Sequence, residues 1–221
     1  GSAGHNKWYT KNGFDKREMK GTVLITSFVH GPGMLHSKKE VRVMEDMKGI
    51  KIRVGGGGVL TAKVLGAVPV VQSATKSHES LQRGTTEAAF FPFEAVHGFR
   101  LAGLAKYHLE IPGGLYTTPF SINMNKKKFD GLPAAARQAL MKAGGAAGAK
   151  FIGRHWDDAD KGGRADAMKA GNKIQTLSAA EQKRWSRAVQ IITDNWIKKG
   201  NEMGLDGKAL MDDLVKMMKA G

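Results

Sequence analysis

The segment Lys51–Val71, KIRVGGGGVLTAKVLGAVPVV, does most to limit the folds open to this chain. It reads as a strand, a glycine turn, a helix with Leu60, Val64 and Leu65 at helical spacing before Gly66, and a second strand at VPVV. Strand, helix and strand within about twenty residues is the rhythm of parallel pairing, because a crossover helix returns the chain to run in the same direction. An α/β architecture is therefore expected, not a bundle or a sandwich.

The rhythm continues on both sides. Val23–Val29, closed by HGPG, reads as a buried strand ending in a turn. Ser73 is placed to cap a helix running to Gln82 with Gly84 as its stop, EAAFFPF reads as a strand broken by Pro92, Glu94–Gly103 as a helix, and 115–125 as an extended segment. From Pro133 the pattern is helical almost to the end. Leu140, Ala143, Ala147 and Phe151 form one face, Ser178 and Glu181 a capping box, and Trp185, Val189, Ile192 and Trp196 a second stripe. Asp206 caps a last helix whose Leu210, Leu214 and Met217 turn inward.

Composition removes several function classes. With 221 residues, 41% of them hydrophobic, the chain can bury a substantial core as one large domain or two lobes. The absence of cysteine excludes disulfides and thiolate metal sites, and the seven histidines show no metal-ligand spacing. No G-x-S-x-G elbow is present, and Ser77 beside His78 has no acid partner in view, so hydrolase chemistry is not supported and no catalytic residue is assigned. No apolar run approaches the roughly 20 residues that cross a bilayer. Lys+Arg 35 against Asp+Glu 20 gives 35 − 20 = +15 and a pI near 10.0, which favours anionic partners without choosing among them. The basic residues are scattered, with one triple run at Lys126–Lys128, so a basic nucleic-acid-binding or structural module is the alternative reading.

Gly55–Gly58 invites a phosphate loop, but Val59 and Leu60 stand where a Walker sequence needs Lys-Ser/Thr, and the dinucleotide pattern lacks its third glycine. The glycines then bind a smaller anion or form a tight turn that brings backbone close to a cleft. Arg53 is the unusual residue. It sits in an apolar strand directly before the turn, and a buried arginine needs a partner. Either it pairs with a carboxylate elsewhere in the fold, or it aims a bidentate fork at a ligand carboxylate from a strand's C-terminal end.

EDMKGIKIRV, LGAVPV, ESLQRGTTEAAFFP and NKKKFDGLPAAARQAL, in this order, resemble the solute-binding subunits (DctP type) of tripartite ATP-independent periplasmic (TRAP) transporters. The likeness runs from about Trp8 to Leu214. It implies a two-lobed, periplasmic-binding-protein-like α/β fold with hinge strands and a helical C-terminal part, closing over a ligand. It also implies that Arg53 makes the salt bridge to a small organic acid. On this reading residues 1–52 are a remnant of the first lobe and a hinge strand, 53–125 a second α/β lobe, and 126–221 helices bracing both. The first part of lobe one, and the signal peptide of a precursor, would then precede Gly1.

The resemblance further implies a periplasmic location, membrane permease subunits as partners, no cofactor, no metal and no catalysis. The family commonly carries an amide just before the proline, where this chain has Phe91, preceded by Phe90. That change suggests a ligand with an apolar or aromatic body, provided Phe91 and not Phe90 faces the cleft. Gln72, His36, Tyr116 and Thr118 are further cleft candidates, placed by the resemblance.

Overall fold

The computed structural model describes residues 1–220. The chain opens with helices α1 (Ser2–Lys11) and α2 (Phe14–Glu18), strands β1 (Thr22–Val29), β2 (Met34–Ser37) and β3 (Lys51–Val54), helix α3 (Val59–Val64), strand β4 (Val68–Val71), helix α4 (Ser77–Gln82), strand β5 (Ala88–Phe91) and helix α5 (Glu94–Gly98). It continues through β6 (Tyr107–Glu110), β7 (Pro119–Asn125), α6 (Lys126–Asp130), α7 (Ala134–Ala143), α8 (Gly145–Lys169), β8 (Lys173–Thr176), α9 (Ala179–Glu202) and α10 (Gly207–Ala220).

The chain divides into two compact units, one of Gly1–Gly31, Thr117–Asp157 and Gly200–Gly221, the other of Pro32–Tyr116 and Asp158–Lys199. The division differs from the one expected from sequence. A boundary at 52/53 would cut through β3, whereas the chain passes between units at 31/32 and 116/117, in loops, and inside α8 and α9.

The first unit is built on an antiparallel β1–β7 pair with a bulge between Leu24 and Thr26. Trp8, Tyr9, Phe14 and Leu24 form its core with Leu205, Leu210, Leu214 and Met217 from the α10 region, so the inward stripe of the last helix is observed. Asp206 caps that helix, its Oδ1 accepting from the Ala209 N–H at 2.9 Å. The expected face that included Phe151 is not formed. The helix breaks at Gly144, where a Cβ would stand 2.2 Å from the Ile25 carbonyl, and Phe151 is 65% exposed.

The second unit carries a six-stranded sheet in the order β4-β3-β5-β2-β6-β8. β3 runs parallel to β4 and β5, as the Lys51–Val71 spacing requires, while β2 is antiparallel to both β5 and β6. The sheet is therefore mixed. β8 lies where the sequence pattern suggested only helix, recruited by parallel pairing with β6. The core on one face joins Leu35, Ile52, Val54, Ala88, Phe90 and Trp185. Ser178 Oγ accepts from the Glu181 N–H at 3.3 Å, but the Glu181 carboxylate turns to the Met44 N–H and to Arg184, so only half of the capping box forms. Trp196, at the far end of the stripe, is 37% exposed.

Candidate carboxylate site

Arg53 stands on the central strand of the parallel trio, in register with Val70 of β4 and Ala89 of β5. Alternation along a strand sends Ile52 and Val54 to the large core and Arg53 to the other face, shared with Ala89 and Phe91. The same parity decides between the two phenylalanines. Phe90 packs in the core 6.4 Å from the Tyr116 ring, whereas the Arg53 guanidinium lies 4.3 Å over the Phe91 ring centroid. Phe99 supports Phe91 from behind at 5.4 Å.

Arg53 is 6% exposed. Its Nε and Nη2 both donate to the Gln72 carbonyl, at 3.1 and 2.8 Å, just past the C-terminal end of β4. Among the described residues no carboxylate pairs with it, so an internal ion pair does not account for its burial. Burial pulls its pKa down, opposed by nearby Tyr116, and an arginine remains charged regardless. One edge of the fork is thus occupied by backbone, leaving the Nη1/Nη2 edge for an anion. Burial pushes the Tyr116 phenol up to about 12 against the pull of Arg53, so Tyr116 stays a neutral hydrogen-bonding group.

The sequence candidates divide. Arg53, the Gln72 carbonyl and Phe91 come together in the second unit, the Gln72 amide oxygen is buried there without a donor, and Tyr116, packed against Phe90, lies near enough for its charge to act on Arg53. His36 does not join them as a contact. It is fully buried, its ring nitrogens taken by His108 and the Phe91 carbonyl. Phe90 is likewise core, and Thr118 belongs to the first unit. The glycine turn also differs from expectation. Gly56–Gly58 form a 3-10 turn with no positive φ, a Cβ on Gly55, Gly56 or Gly57 would meet nothing within 4 Å, and the one close approach is from a Cβ on Gly58 to the Val54 side chain at 3.0 Å, inside the turn itself.

The glycine that matters is Gly33. A Cβ there would fall 2.2 Å from Tyr116 Cε1, and its N–H donates to the Tyr116 carbonyl at 2.8 Å while its own carbonyl accepts from Leu115 at 2.9 Å. The HGPG turn was the signal. Its contact with Tyr116, far along the chain, was not legible from it.

Residues 3–199 match the profile of DctP, the bacterial extracellular solute-binding protein family 7. The chain belongs to this family. The DctP chain is similar over 100% of its length, with TM-score 0.92 and 27% identity, to 71% of a TRAP periplasmic solute-binding protein from Bordetella bronchiseptica with bound (R)- and (S)-mandelate. It is similar over 99% of its length, with TM-score 0.91 and 28% identity, to 70% of a TRAP solute-binding protein from Rhodoferax ferrireducens with copurified benzoate. A solute-binding protein of Albidiferax ferrireducens is 34% identical over 75% of this chain and 49% of its own length. The DctP chain spans 42% to 61% of the curated relatives it matches. Among the described residues no helix is long and apolar enough to cross a membrane, and no group of three or more histidines and carboxylates is placed to hold a metal ion.

Proposed function

We propose that this family 7 protein captures a small organic acid in the periplasm, with the ligand carboxylate on the free edge of Arg53, and delivers it to TRAP membrane permease subunits. The observation that carries the reading is a buried arginine with no counter-charge among the described residues, its guanidinium seated on a phenyl ring at the C-terminal ends of parallel strands. Open α/β sheets receive ligands at that edge. A carboxylate there gains two charge-assisted hydrogen bonds and neutralises the buried cation in one step.

Phe91 favours a ligand whose body is apolar or aromatic, since the ring offers area and no hydrogen bond. The mandelate and benzoate held by the two similar structures fit that preference. Calorimetric titration with benzoate and with malonate tests it. Benzoate is expected to bind more tightly, and a preference for malonate would remove Phe91 from the ligand surface.

A further inference from the structure

One row of side chains crosses the sheet on the Arg53 face. Register pairs Arg53 with Ala89, Ala89 with His36, and His36 with His108. Both histidines are fully buried, so each ring nitrogen needs a partner inside the unit.

We propose that His36 and His108, as a neutral pair, are positioning residues for ligand capture: they hold the Phe91 carbonyl, and through it the ring under Arg53. The proposal rests on the carboxylate reading above for its functional half.

The hydrogen bonds fix every proton. The Phe91 carbonyl can only accept, so His36 Nε2, 3.1 Å away, carries a hydrogen. A neutral ring then leaves His36 Nδ1 bare. His108 Nδ1, at 2.7 Å, must donate to it, which leaves His108 Nε2 to accept from the Asn172 amide at 3.0 Å. The two hydrogens of that amide nitrogen are shared among three acceptors, since the Ala102 and Ala105 carbonyls also lie 2.9 Å from it, which ties the relay to the turn before β6. Pro92 follows Phe91 and supplies no N–H, so the strand cannot continue its ladder there, and His36 is the side chain that grips its end.

An added proton has no place in this chain. A charged His36 would point Nδ1–H at the His108 Nδ1–H. If His108 moved its proton to Nε2, N–H would face the Asn172 amide instead. Burial holds the pair well below the ordinary histidine range, to about 3 for His36, where the neighbouring His108 lowers it further, and to about 4 for His108. The charged groups acting on His108 are Glu110, at the end of β6, and Lys106, just before its start, with opposite signs. The last residue of β5 contributes the Phe91 carbonyl, and the segment after it the Pro92 carbonyl and the Phe93 ring, 5.1 Å from His36 and 5.6 Å from His108.

The test uses the intact 221-residue chain. Nitrogen NMR is expected to show His36 protonated at Nε2, His108 at Nδ1, and both neutral at pH 6. The opposite tautomers, or a charged ring, would overturn the relay even if no variant folds. In benzoate titrations His36→Leu is expected to lose about tenfold in affinity while keeping a cooperative fold. His36→Gln, whose amide can still donate to the Phe91 carbonyl, is expected to recover most of it. Equal affinity for wild type and a folded His36→Leu refutes the positioning role. If wild type binds no benzoate, the carboxylate reading fails separately. Positioning is then judged on the Phe91 ring carbons, which should shift in the Leu variant and not in the Gln variant, and static resonances would sink it.

Discussion

Arg53→Met should move binding and stability in opposite directions. In the unliganded protein the guanidinium is buried with no carboxylate beside it among the described residues. Its compensation is a pair of hydrogen bonds to one carbonyl, about 1 kcal/mol each, and a ring contact of about 0.5–2 kcal/mol. Against these stands a desolvation cost of several kcal/mol for a buried ion. The terms nearly cancel, so a methionine of similar reach should leave stability within about 1 kcal/mol of wild type or raise it.

On the proposed reading binding should behave differently, because the ligand carboxylate supplies a counter-charge. Losing one partner of a buried pair costs about 3–5 kcal/mol, or roughly a hundredfold to a few thousandfold in affinity. Denaturant unfolding and calorimetry on the same preparation read both quantities. A stability loss above about 3 kcal/mol would make Arg53 a structural residue whose effect on ligand is indirect. Unchanged affinity with intact stability would refute its role as the carboxylate contact.

Two further perturbations probe the surroundings. Gly33→Ala puts a methyl 2.2 to 2.8 Å from three Tyr116 ring atoms. It should destabilise by about 1–3 kcal/mol and weaken benzoate, measured by unfolding and titration; an unchanged midpoint would mean the ring gives way freely. Glu94 is raised to about 7, first by burial and then by Asp160. Between its ordinary 4.5 and 7 the folded chain binds more protons than the unfolded one, so this group's contribution is lost as pH rises through that window. Glu94→Gln should therefore gain on wild type between pH 5 and pH 8 by on the order of 1 kcal/mol after allowing for solvent screening, and a pH-independent difference would contradict the assignment. His36 and His108, neutral when folded, act in the other direction, their contribution lost as pH falls from about 6.5 toward 4.

What could be read from sequence was local. KIRV, VPVV and the helix between them followed from hydrophobic periodicity, and the apolar setting of Arg53 marked it before any register was known. Register itself is long-range. Which of Phe90 and Phe91 meets Arg53 depends on β5 pairing with Ala89 opposite Arg53, and nothing near Phe90 in the chain states that. The His36–His108 contact joins residues 72 positions apart through β2–β6 pairing, so His36 read as a cleft candidate when it is a core donor. β8 escaped because KIQT is short and set between long helices, and only its parallel neighbour makes it a strand. The four glycines drew attention by composition, while the single Gly33 carries the steric constraint through Tyr116.

The central claim is that the negative charge of a carboxylate, and not the bulk of its carrier, is what this site recognises. Benzoate and benzamide share size and ring, and they differ at the group that meets Arg53. Paired calorimetric titrations at physiological salt should give benzoate at least a hundredfold the tighter ligand. Equal affinities, or benzoate binding that collapses as salt is raised in the manner of a screened surface contact, would contradict capture by a buried arginine.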